Sequence, residues 1–112
     1  MKKKNIPEEV RKEIQKIINE YNEVAFKNTN IEYFPEYKKN FLYLKRKELT
    51  GSISPIARLT YTENINNWKF AIFKWSSESY DSEEWFFPGS EHINDTILGA
   101  LKAGNEAYPC GY

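Results

Sequence analysis

The sequence predicts an α+β fold: a single domain in α-β-β-β-β-α order, whose antiparallel four-stranded sheet carries both helices on one face. Three observations predict it. Apolar residues recur every three or four positions near each end of the chain, strand-forming aromatic and β-branched runs fill the middle, and Asn, Gly, Ser and Pro separate those runs at hairpin spacing. With 112 residues, 40% of them apolar and 16% aromatic, the chain is long enough to bury one core and too short for two.

Val10, Ile14, Ile17, Ile18, Tyr21, Val24 and Ala25 fall on one stripe, which places the first helix over residues 6–27. Asn5 is the expected cap, Glu8 three residues on completes a capping box, and Pro7 is tolerated in the first turn. Asn28, Thr29 and Asn30 then compete for backbone hydrogen bonds, and the residue before Pro35 is held extended. Residues 28–40 therefore read as a loop, with Tyr33, Phe34 and Tyr37 covering a core edge.

The sheet is expected over residues 41–87. Its first strand runs from Phe41 to Glu48 and ends at the Gly51-Ser52 turn. In a second strand, 56–62, Ala57, Leu59 and Tyr61 face one side and Ile56, Arg58 and Thr60 the other. Asn64 to Asn67 turn the chain into a third strand, 68–75, apolar on both faces. The polar stretch 76–84 has the length of a long hairpin loop, and Trp85, Phe86 and Phe87 form a short fourth strand that Pro88-Gly89 ends. A second helix over 94–108, capped by Asn94 or Asp95, buries Ile97, Leu98 and Leu101. Gly99, Ala103 and Gly104 on it predict close approach to the sheet, since each helical glycine costs about 1 kcal/mol relative to alanine. Residues 109–112 are expected to be a loose tail.

The run Pro55-Ile56-Ala57-Arg58-Leu59, the segment from Trp68 to Ser77, Trp85-Phe86-Phe87-Pro88-Gly89, and Thr96-Ile97 with Gly99-Ala100 and Ala103-Gly104 to Tyr108-Pro109 resemble a family of small uncharacterised microbial proteins. That resemblance implies a compact domain and assigns no activity to any residue. Phe87-Pro88 followed by Asp95-Thr96-Ile97 is also similar to HicB-type antitoxins, in which a strand ending in Phe-Pro leads to a helix rich in small residues. The gap between the two pieces is shorter here, and no DNA-binding segment is expected after the second helix.

The bulk charge narrows the function classes. Sixteen basic and sixteen acidic residues cancel, which removes a strong overall pull toward nucleic acid or anionic membrane. The distribution is uneven: 12 basic and 7 acidic residues through Lys47 give +5, and 4 basic and 9 acidic from Glu48 onward give −5. The lone Cys110 makes no internal disulfide, and Lys2 to Lys4 lead into no apolar signal core, so the cytoplasm is the expected compartment and no membrane partner is expected.

No nucleophile elbow, phosphate-binding glycine loop or zinc-ligand spacing occurs, and no cofactor is expected. His92 is the sole histidine; an enzyme site would have to join it to Glu83, Glu84 or Glu91. Lysines beside aromatic strand residues supply the ingredients for binding RNA or single-stranded DNA, which is the second reading. The leading expectation is a non-enzymatic binding module, with a protein partner or a second copy as occupant. Helices can shield only one side of the sheet, so aromatic side chains should remain on the other. Tyr43, Arg58, Trp68, Trp75 and Trp85 are the expected contact residues.

Overall fold

Residues 5–27, 29–81, 87 and 89–108 are described by a computed structural model. Helix α1, Glu8–Ala25, buries Ile14 and Ile18 completely and packs Val10, Ile17, Tyr21 and Ala25 against the same core. Val24, at the margin of that stripe, is 84% exposed. The helix starts at Pro7 rather than at Asn5. Pro7 is extended and needs no N–H partner, and its carbonyl accepts the Val10 and Arg11 amides, so no side-chain cap forms.

Among the described residues the sheet has five strands, not the expected four. The additional first strand, β1 (Glu32–Lys38), lies in the stretch expected to be a loop and pairs along its whole length with β2 (Phe41–Lys47). Pro35 is compatible with it because β1 is an edge. Two residues away, the Tyr33 N–H donates to the Asn22 carboxamide oxygen and the Tyr33 carbonyl accepts from the Asn22 amide nitrogen, at 2.8 and 3.0 Å. The backbone groups of Tyr33, and by alternation those of Pro35, thus face away from β2, and proline removes no ladder hydrogen bond.

Strand β3 (Ile53–Thr60) follows a turn in which Gly51 adopts φ +88°, and β4 (Lys69–Lys74) pairs with it. The polar stretch after Trp75 is a tight hairpin, with Glu78 at φ +48°, leading into β5 (Ser79–Asp81). Tyr80 alone marks β5 as a strand, too little pattern to read from sequence. The neighbours run β1-β2-β3-β4-β5, a simple antiparallel meander. Of the strand expected at 85–87, Trp85 and Phe86 lie outside the described residues and Phe87 is a bend. The Cys110 tail also lies outside them.

Helix α2, Ile97–Ala107, begins later than expected. Its cap is Thr96, whose hydroxyl accepts the Gly99 amide at 3.1 Å, while Asn94 caps the turn ahead of it and the Asp95 carbonyl accepts the Trp68 amide. Ile97, Ala100, Leu101 and Ala103 are buried, whereas Leu98 is 43% exposed. Gly104 sits where a Cβ would overlap Ile56 and the Tyr33 hydroxyl.

Both helices contact the same face of the sheet. Arg11 of α1 lies over the Tyr37 ring, and from α2 the Leu101 carbonyl accepts the Tyr33 hydroxyl and Asn105 accepts from Arg46. Tyr33, Tyr37, Leu42, Leu44, Arg46, Ala57, Leu59, Phe70 and Ile72 line this side by alternation and register. Ile56 joins them, against expectation, because the ladder slips between Leu44 and Lys45 and turns its fully buried side chain onto Gly104. Arg46, 3% exposed, is neutralised by both oxygens of Glu48 at 2.6 and 3.1 Å. No helix among the described residues is long and apolar enough to cross a membrane.

Candidate contact face of the sheet

Alternation sends Phe34, Glu36, Phe41, Tyr43, Lys45, Arg58, Thr60, Ala71, Phe73 and Tyr80 to the side opposite the helices. One row runs straight across four strands: Glu36, Tyr43, Arg58, Ala71. The methyl group of Ala71 leaves room beside Arg58, and the guanidinium lies over the Phe41 ring at 4.9 Å and the Tyr80 ring at 5.6 Å. Such cation–π contacts are worth about 0.5–2 kcal/mol each, more as water is excluded.

The rings form one connected cluster. Phe41 contacts Tyr43 (6.1 Å between centroids), Tyr43 contacts Tyr80 (5.5 Å), Tyr80 contacts Phe73 (5.1 Å) and Phe73 contacts Trp75 (5.0 Å). Most meet edge to face, the arrangement the ring quadrupole prefers. Trp75, at the end of the chain of rings, is 55% exposed.

Arg58 is held without being neutralised. Its Nε is enclosed yet donates to no acceptor, and among the described residues the guanidinium makes no ion pair. The nearby carboxylate of Glu36 is engaged by Lys45 at 2.8 Å. Burial pushes the Tyr80 hydroxyl above the usual tyrosine range; Tyr43 and Glu36 add to the rise and Arg58 opposes it.

Two of the five expected contact residues, Tyr43 and Arg58, come together on this face, and Trp75 meets the end of the ring cluster through Phe73, at the rim of the sheet beside Ala107 and Tyr108. Trp68 does neither. It is 1% exposed, packs on Tyr61 at 5.2 Å, and donates its indole N–H to the Ile65 carbonyl, so it belongs to the core beneath α2. Trp85 lies outside the described residues. Phe41, Phe73 and Tyr80 were missed by sequence reasoning; the alternation Phe41/Tyr43 and Phe73/Trp75 holds the signal for two of them, and none marks Tyr80.

His92 is a separate feature. It follows Gly89, which takes φ +93° and packs against Ala103 and Glu106 of α2, where a Cβ would not fit. That contact brings His92 Nε2 to 2.9 Å from a Glu106 carboxylate oxygen, with Glu91 adjacent. Donor atoms of Glu91, His92 and Glu106 lie within 4.8 Å of one another, a set able to hold a divalent cation, although the pair sits at the surface with side chains 33% and 49% exposed. Glu83 and Glu84, the other expected partners, lie outside the described residues.

Comparison with family models, curated proteins and solved structures finds no match.

Proposed function

We propose that this chain is a non-enzymatic binding module whose contact surface is the face of the sheet turned away from the helices, with a protein segment as its occupant. The connected ring cluster around Arg58, on the side of the sheet opposite the one on which α1 and α2 pack, is the observation that carries this reading. Aromatic and arginine side chains are the residue types that dominate contact energies in protein interfaces. Pairing through the edge of the sheet is disfavoured, because Asn22 and Pro35 blunt β1.

Selection of a random peptide library against the whole chain tests this. Enriched peptides should lose most of their affinity for a Tyr43→Ala/Trp75→Ala variant that still unfolds cooperatively. A library yielding no binder, or binders indifferent to both substitutions, removes the proposal. Sedimentation velocity across a concentration series tests the variant of the idea in which a second copy is the occupant.

A specific observation also favours nucleic acid as a second reading. Among the described strand residues, Lys38, Lys45, Lys47, Arg58 and Lys69 face the open side against Glu32 and Glu36, five cations to two carboxylates, although the chain as a whole is neutral. Binding of labelled RNA or single-stranded DNA would then fall steeply with added salt. No binding at low salt eliminates it.

A further inference from the structure

We infer that Arg58 is a carboxylate receptor, taking an aspartate or glutamate side chain of a peptide laid on the open face of the sheet, with the Tyr43 and Tyr80 hydroxyls as additional donors. This rests on the contact-module reading and names the chemistry of its occupant.

The chain has three arginines, and two of them are satisfied internally. Arg11 donates from Nε to the Ile6 carbonyl at 3.0 Å, and Arg46 donates to Glu48 and Asn105. Arg58 alone makes no ion pair or hydrogen bond among the described residues; its Nε–H is enclosed without an acceptor, so an anion on the open face would meet the outer nitrogens of the guanidinium. The guanidinium is already immobilised between Phe41 and Tyr80, so little side-chain entropy remains to be lost on binding. Tyr43 stands directly across the strand pair from Arg58, and its ring meets that of Tyr80. Neither hydroxyl makes a hydrogen bond among the described residues. Arg58, Tyr43 and Tyr80 are thus neighbouring donors on one face, and the Glu36 carboxylate, one position beyond Tyr43 along the same row, is held by Lys45.

The same geometry favours a peptide carboxylate over a nucleic acid strand. Base stacking needs open ring faces, but the guanidinium covers Phe41 and Tyr80, while Tyr43, Phe73 and Tyr80 present edges to one another. A carboxylate needs only the guanidinium fork and the hydroxyls, and the surrounding rings can then cover the apolar part of the peptide.

The test follows the side-chain Nε–Hε resonances of the three arginines in ¹⁵N-labelled protein, with Arg58 identified by the signal missing from Arg58→Lys. The probes are acetylated tetraglutamate amide, its tetraglutamine counterpart, sodium phosphate and a short oligothymidylate. Tetraglutamate should shift the Arg58 signal saturably and leave Arg11 and Arg46 in place, and tetraglutamine should bind about tenfold more weakly or worse. The inference is overturned if tetraglutamate leaves Arg58 unmoved, if all three arginines shift in parallel, or if phosphate or oligothymidylate moves Arg58 more strongly. Library peptides that depend on Tyr43 and Trp75 while Arg58 stays unmoved would refute the carboxylate receptor and spare the contact module; an empty library refutes the module itself.

Discussion

Two tryptophans seven positions apart do opposite jobs. Trp68 is sealed in the core with its indole N–H bonded to Ile65, and Trp75 is 55% exposed at the end of the ring cluster. Trp68→Ala should therefore cost about 3–5 kcal/mol of stability, and Trp75→Ala less than about 1 kcal/mol. Urea unfolding of the two variants checks this; equal losses would mean that Trp75 is a core residue as well. Ala71 is small for a similar local reason, because the guanidinium of Arg58 passes beside its methyl group. Ala71→Leu should displace Arg58 from the Phe41 and Tyr80 rings and move its Nε–Hε resonance with only a modest loss of stability, about 1–3 kcal/mol. An unmoved resonance would mean that the ring pair, not the space at Ala71, decides where Arg58 lies.

At the scale of elements, the least expected feature is the first strand. The segment Glu32–Lys38 contains a proline and follows a run of asparagines and threonine, a local pattern of loop type, yet it is fully paired. Its outer edge is closed by one carboxamide, Asn22, which copies the donor and acceptor of a neighbouring strand. Asn22→Ala should cost about 1–3 kcal/mol and expose that edge, raising self-association as protein concentration increases. Sedimentation and urea unfolding read the two effects separately. An Asn22→Ala variant with unchanged stability would show that the Tyr33 backbone is satisfied by water alone. Most of the remaining architecture was legible from periodicity: α1, strands β2 to β4 and α2 appear within a few residues of their expected bounds. The helix starts moved because backbone geometry at Pro7 and the Thr96 hydroxyl outcompeted the nearby asparagines and aspartate as caps.

For the molecule as a whole, three tyrosines make stability depend on alkaline pH. Burial raises the hydroxyls of Tyr37, Tyr80 and Tyr108 above the ordinary value of 10.0, with Arg11, Arg58 and Lys74 respectively opposing the rise. Their neutral forms are favoured by folding, so on raising the pH the unfolded chain releases phenolic protons first and comes to bind fewer protons than the folded one. The stabilisation is complete below about pH 10 and is lost as pH climbs through the raised folded values. Urea midpoints should hold between about pH 8 and 9.5 and fall above about pH 10, and Tyr80→Phe with Tyr108→Phe should flatten the fall. A midpoint that rises above pH 10 contradicts this assignment.

Local pattern alone determined the fold class, both helices and the presence of an aromatic surplus, because helix and strand periodicities are written in consecutive residues. Which side chains share the sheet face opposite the helices came only with the tertiary structure. Tyr43, Arg58, Phe73 and Tyr80 belong to four different strands, and their meeting depends on register, on a hairpin hidden in a polar stretch, and on the slip that turned Ile56 inward. Trp68 and Trp75 look alike along the chain; which one faces the helices is set by strand parity and by the α2 approach, and those are long-range facts.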